Sequence, residues 1–278
     1  MERRTFNITL EGEQGPESFP IVEICPEQRS YPPVVLLHGL GLDHRSFLPL
    51  AESLAGYGFP VYLYDQRGFG SSPPPRTDPR IEDYREDLEG ILKALDLPPF
   101  HLVGHSFGGM VALEFAVENG KALRSLTLIS TTAHNGRRAS RFARAMSELC
   151  ARGYERFVQD AQKVKEVEAL LSEAFPGMGM RVSFFEKAFP APDPGSASAW
   201  QALSNFSVKD RISRIFGLPV LVIHGSLDTW IPYSCGVWLG EKIPGARWVS
   251  IEGGGHFPHE EKPEFFRTTL LDFLLKNS

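Results

Sequence analysis

Residues Leu102–Ala116, LVGHSFGGMVALEFA, place apolar residues on both sides of a short glycine-rich centre that holds one serine, Ser106. The preceding FHLVGH reads as a strand and the following FGGMVALEFA as a helix, so the chain reverses over a single residue. A strand-to-helix turn this sharp forces its central residue into an unfavourable backbone region, at a cost of about 1–3 kcal/mol. Gly104 and Gly108 have no Cβ to collide with the turn, and Gly109 lets the helix lie close to the sheet. The arrangement thrusts the Ser106 hydroxyl clear of the sheet, at a helix N-terminus whose dipole favours negative charge. The bland alternative is a capping serine in a tight turn.

Working outward, RTFNITLE and FPIVEIC alternate as an edge antiparallel hairpin. PPVVLLHG, FPVYLYD, FHLVGHS, LRSLTLIS, LPVLVIHG and ARWVSIEG are short continuous apolar runs. Such runs suit strands buried on both faces of a parallel sheet. Between them, IEDYREDLEGILKALDL gathers Ile81, Tyr84, Leu88, Ile91, Leu92 and Leu95 on one side, and KPEFFRTTLLDFLLKN closes the chain as a helix with Pro263 in its first turn. FGGMVALEFAVENG has Gly120 as a helix end. The alternation predicts a doubly wound α/β fold with a mostly parallel eight-stranded sheet.

One segment breaks the alternation. Residues 132–209 contain no clear strand; SRFARAMSELCARGYERFVQDAQKVKEVEALLSEAF is helical and FPAPDPGSASAW reads as a connector. The segment is expected to be a helical cap inserted after the sixth strand into a core of residues 1–131 and 210–278.

A hydrophobic content of 42% over 278 residues supports a large core, and the net charge of -5 lacks the basic footprint of a nucleic-acid partner. MERRTFNITLEGEQG has no apolar run behind its charges, so no secretory signal is read, and no stretch approaches the roughly 18 apolar residues of a membrane span. Cys25, Cys150 and Cys235 are scattered and fit a reduced cytoplasm. The acceptor patterns at Asn7 and Asn205 then read as chance. The expectation is a cytoplasmic protein with no membrane and no nucleic-acid partner.

GHSFG matches the G-x-S-x-G nucleophile elbow, and its place between strand and helix makes the chain resemble the α/β-hydrolase fold superfamily. A hydroxyl needs a base to become a nucleophile at neutral pH. His256 stands in IEGGGHFPHEEKPEFF, after the last predicted strand, on a glycine loop able to reach the carboxyl edge of the sheet, where ligands bind in such folds. His259 is the rival, expected at the surface or as a cap near the helix start. His38 and His224, at strand ends beside glycine, read as loop-stabilising, His101 and His105 lie on the elbow strand, and His134 lies in a charged context.

The base needs a carboxylate to fix its tautomer. LPVLVIHGSLDTWIP resembles the superfamily's acid loop and offers Asp228, giving the order Ser106, Asp228, His256 that the resemblance implies. Asp65, in YDQRGFGSS, is the competing carboxylate; that pattern resembles a structural turn, with Asp65 and Arg67 expected to brace the loop as a pair. No acid ends LRSLTLIS, where some relatives keep theirs. HGLGLDHRSF resembles the superfamily's oxyanion loop, so the backbone N–H groups of Leu40 and Phe107 are the expected oxyanion donors, with Gly39 and Gly41 turning the amide inward; a plain strand-ending turn is the alternative.

The resemblance implies acyl transfer to water through a covalent Ser106 intermediate, with no cofactor and no metal. No Cys/His cluster has ligand spacing, and GFGSS lacks a P-loop lysine. A serine at the elbow argues against relatives that attack with aspartate. The expected substrate is a small-molecule carboxylic ester, with lactones and carbon–carbon bonds beside a ketone next, and a non-catalytic ligand receptor as the alternative of another kind. Met146, Leu149, Phe157, Phe175, Met178, Phe184, Phe185, Phe189 and Trp200 are the cap's apolar material, shared between packing and pocket. Arg137, Arg138, Arg141 and Arg144 read as a solvated helix face, and Trp230 as a pocket wall or a cover for the acid loop.

Overall fold

The β-branched runs of the N-terminal third pair first with their sequence neighbours. Strands β1 (Glu2–Gly12) and β2 (Gly15–Cys25) form an antiparallel hairpin at one edge, and β2 continues antiparallel onto β4 (Val61–Tyr64). From there the pairing is parallel, through β3 (Val34–Leu37), β5 (Phe100–His105), β6 (Leu123–Ile129), β7 (Val220–Gly225) and β8 (Arg247–Ile251), in the order β1-β2-β4-β3-β5-β6-β7-β8. The computed structural model describes residues 1–12, 15–174 and 181–278.

Helices cover both faces, which explains why the central strands are apolar without alternation. On one face α1 (Leu48–Gly56) and α10 (Pro263–Lys276) bring Leu54, Phe266 and Leu270 against Val34 and Leu36. On the other, α2 (Ile81–Leu95), α3 (Phe107–Asn119) and α8 (Tyr233–Lys242) bring Leu88, Val111 and Leu239 against Val35 and Leu37. Successive side chains of one strand thus enter different cores. Each fully buried Leu or Val contributes about 1.5–3 kcal/mol. Helices α1 and α8 carry no strong periodicity in the sequence; their small, mixed faces are set by the sheet they cover.

The chain leaves β6 and returns to β7 through α4 (Arg137–Arg152), α5 (Tyr154–Phe157), α6 (Ala161–Ala174) and α7 (Pro194–Leu203). With the turn Val182–Phe185 they bury a cluster of their own, with Met146, Leu149, Phe157, Leu171 and Phe185 inside and Arg137, Arg138, Arg141 and Arg144 outside. The long helical stretch read from the sequence is broken at Gly153, whose φ of 72° no other residue adopts cheaply. Half of the expected connector is in fact α7: Asp193 caps it by accepting from the Ser196 N–H at 3.0 Å, and Pro194 opens it. Asp-Pro there is a helix start rather than a linker. The N-terminal turn of α7 meets the loop after β4 backbone to backbone: a Cβ on Gly195 would overlap the carbonyl oxygen of Gly68. Phe175 and Met178 lie outside the described residues. No helix among the described residues is long and apolar enough to cross a membrane.

Candidate active site

The reversal between β5 and α3 is built as the glycines require. Ser106 has φ 52° and ψ −113°, a backbone region that side chains disfavour. A Cβ on Gly104 would collide with the Gly108 carbonyl, and one on Gly108 with the carbonyls of Leu37 and His38. Two hydrogen bonds fix the turn: the Ser106 N–H donates to Ile129 O at 2.9 Å, and Thr131 Oγ1 donates to Ser106 O at 2.7 Å.

The loop after β8 carries His256 over the same rim. Its Nε2 lies 3.0 Å from Ser106 Oγ and its Nδ1 lies 2.9 Å from Asp228 Oδ2, so the three expected side chains, 150 and 28 residues apart, form one hydrogen-bonded chain. The loops holding Asp228 and His256 are laced together: Leu227 N donates to Gly254 O at 2.8 Å, and Gly253 N to Ser226 Oγ at 2.9 Å. Asp228 Oδ1 accepts from the N–H groups of Trp230 and Ile231, each at 2.9 Å. Burial opposes its charge, but hydrogen bonds from His224 and His256 and from the backbone outweigh it, so the carboxyl sits well below its usual range.

These groups open onto a cavity of about 520 Å³ between the sheet rim and the insertion. Leu40 and Phe107 line it with Ser106, and among the described residues neither N–H is taken by a backbone acceptor. From the insertion come Phe142, Phe184, Phe185, Phe189 and Trp200; Phe142 and Phe185 also belong to the insertion's own core, into which Met146, Leu149 and Phe157 turn without lining the cavity. Trp230 is a pocket wall, its ring centroid 6.5 Å from that of His256. Arg137, Arg138, Arg141 and Arg144 are exposed; Arg138 also borders the cavity, its Nε 3.9 Å from Glu173.

Several expectations about neighbouring residues are corrected. Asp65 and Arg67 do brace their loop, but not with each other. Asp65 accepts from the His44 N–H at 2.8 Å and lies 2.7 Å from His44 Nδ1, while Arg67 is clamped by Asp87 at 2.7 Å and Glu17 at 2.6 Å. A buried guanidinium needs more than one carboxylate face, and two distant ones were closer than Asp65. His259 is not a surface cap. Its side chain is buried against Phe47, with ring centroids 5.0 Å apart, and desolvation lowers it to about 4. Pro258 opens the short helix α9 (Pro258–Glu261), which carries His259 in its first turn.

Three supporting side chains are absent from the site as read in the sequence. His105 Nε2–H donates to the His256 carbonyl at 2.8 Å, and burial holds this imidazole far below its usual range, hence neutral. Glu261 accepts from the N–H groups on either side of His256, Gly255 at 2.5 Å and Phe257 at 2.9 Å. His224, read as a loop brace, does hold Ile231 O at 3.0 Å, but also stands 3.1 Å from Asp228 Oδ2. For His224 the four-residue spacing to Asp228 was the available clue.

A family profile described as alpha/beta hydrolase fold matches residues 32–263. A Pseudomonas savastanoi pv. phaseolicola protein named "Putative carbamate hydrolase RutD" is 32% identical over 250 residues, spanning 87% of this chain and 93% of its own. A proline iminopeptidase of Lactobacillus delbrueckii subsp. bulgaricus is 25% identical over 276 residues, spanning 91% and 92%. The crystal structure of a hydrolase from Pseudomonas aeruginosa PA01 superposes with a TM-score of 0.75 at 26% identity, over 96% of this chain and 98% of that one. With its sheet order, its serine on a strained elbow and a profile match across most of its length, the chain belongs to the α/β-hydrolase fold family.

Proposed function

We propose that the protein is a serine hydrolase that cleaves a carboxylic ester of a small or medium acyl group through a covalent Ser106 intermediate. The observation that carries this reading is the unbroken chain from Ser106 Oγ to His256 to Asp228 at the floor of an aromatic cavity. His256 Nε2 takes the Ser106 proton as the oxygen attacks the acyl carbonyl. Asp228 keeps the other imidazole proton on Nδ1 and balances the imidazolium. The tetrahedral oxyanion rests on the N–H groups of Leu40 and Phe107, at the N-terminus of α3. His256 then protonates the leaving alcohol and activates the water that frees the acid. The insertion, residues 132–209, acts as the lid that sets which acyl groups fit.

A carbamate is the second reading, supported by the name of the relative at 32% identity. Its carbonyl is attacked in the same way: an alcohol leaves with the carbamoyl group held on Ser106, or an amine leaves with the carbonate ester held there, and water then frees the serine. Five aromatic side chains from the insertion favour the ester, because they outnumber the polar ones it brings to the cavity, Asn135, Arg138 and Glu173, and suit an apolar acyl group better than a small polar carbamate.

The test is fluorophosphonate labelling with mapping of the modified residue, followed by p-nitrophenyl esters of graded length and matched carbamates. Label on Ser106 with ester turnover, both lost in Ser106→Ala, is the expected result. Turnover of carbamates alone replaces the substrate class, and absence of label on Ser106 overturns the reading.

A further inference from the structure

Asp228 is gripped by two histidines rather than one. Its Oδ2 faces His256 Nδ1 at 2.9 Å and His224 Nε2 at 3.1 Å, while Oδ1 takes two backbone N–H groups. The side chains of His224 and Asp228 are both fully buried, so neither contact is shared with solvent. His224 Nε2 also lies 3.0 Å from Ile231 O. A carbonyl oxygen only accepts, so Nε2 carries a proton, and that proton is shared between the carbonyl and the carboxylate.

The ring has no second option. Its Nδ1 is buried and, among the described residues, without a partner. A Cβ on Gly236 would stand 2.6 Å from Nδ1, so α8 closes that side with bare backbone. Tyr233 and Trp248 flank the ring, with centroids 6.2 and 6.4 Å away. A flipped ring would turn a carbon toward Ile231 O and Oδ2, leaving both with one donor fewer in a dry site.

We infer that His224 is a positioning residue that aims Asp228 Oδ2 at His256 and tempers the charge His256 meets there. This rests on the reading of His256 as the base for Ser106. Each donor on Oδ2 draws off part of the carboxylate charge. Without His224, the backbone N–H groups still hold Oδ1, but the charge on Oδ2 is concentrated on the His256 imidazolium. His256 then stays protonated to higher pH, and the nucleophile is switched on later. The titratable groups facing this pair are His105, whose ring centroid is 4.9 Å from that of His256, with His259 and Glu261 on the base side. Tyr233 and Cys235 face it from α8.

The experiment measures the rate of fluorophosphonate labelling of Ser106 against pH, in the parent, in His224→Leu and in His224→Gln. Glutamine keeps an N–H donor near the place of Nε2; leucine fills the space without one. For His224→Leu the expected result is a plateau about tenfold lower and an acidic limb moved up by about half a pH unit, both largely restored in His224→Gln. A leucine variant whose acidic limb stays in place or moves down, with a folded circular dichroism spectrum, overturns the inference whatever its plateau. If leucine does not fold, the glutamine variant alone decides against His224→Asn, whose shorter amide cannot reach Oδ2: equal limbs overturn the inference. A parent that is not labelled at Ser106 overturns the proposed function instead.

Discussion

Two buried carboxylates at the same end of the sheet show how one chemical group is set to different ends. Asp87, on α2, faces the guanidinium of Arg67, which is permanently charged and is also clamped by Glu17. Asp228, on the loop after β7, faces two imidazoles and two backbone N–H groups. Burial pushes the Asp87 carboxyl above its usual range against the pull of Arg67, while hydrogen bonds hold Asp228 below it. The first pair ties a loop to a helix and has no proton to pass on. The second is coupled to a ring that can gain and lose one, beside a cavity. Depth of burial is alike in the two; the partner's ability to titrate is what differs.

The comparison is broken most directly at Asp228. Asp228→Asn should lower ester hydrolysis on the order of 10⁴-fold, by stabilising the wrong His256 tautomer, while the urea transition stays cooperative. A loss under tenfold would remove the distinction. At the other carboxylate the effect should fall on stability. Arg67→Met leaves Glu17 without its guanidinium and Asp87 with Arg76 alone, 3.4 Å away, and should cost about 3 kcal/mol in urea unfolding. Ser106 labelling per folded molecule should remain within about twofold, since Arg67 touches neither Ser106 nor His256.

Acid sharpens the contrast. Burial holds His259 at about 4 when folded, below the ordinary imidazole value of 6.5. Between those values the unfolded chain binds the proton and the folded chain does not, so stability is complete above about pH 6.5 and falls as pH drops toward 4. His101, also at about 4, and His105 act in the same direction. His259→Phe should flatten the decline by about 1–3 kcal/mol between pH 7 and 4, read from urea midpoints; an unchanged slope would show that His259 is protonated in place. The smallest effect belongs to the pocket wall. Trp230→Leu should raise KM about three- to tenfold for the longest acyl chain turned over, with kcat nearly constant.

The elbow was legible because strain leaves a local trace: glycine at Gly104 and Gly108 has no other economical explanation. The sheet was legible because two-sided burial produces apolar runs. His256 and Asp228 could be placed because each closes a recognisable strand. The residues that escaped act across the chain. Glu17 lies 50 positions from Arg67 and His105 lies 151 from His256, and nothing in a local window announces such a partner. His259 was misplaced for a related reason: a histidine in PHEE looks solvated until Phe47, brought from the far side of the chain, packs against it. Helix α7 was hidden by composition, since Pro, Gly and Ser at a helix start read as a linker.

The contact between Gly68 and Gly195 bears on any attempt to exchange the helical insertion for that of another hydrolase. Two main chains touch there with no side chain between them, so the junction tolerates no padding. A graft that brings alanine or serine to either position would have to lift the whole insertion off the rim, and the volume of the cavity beneath would change with it. Chimeras that preserve both glycines should keep the parental roof height, and those that lose one should alter selectivity before any residue touching substrate has been replaced.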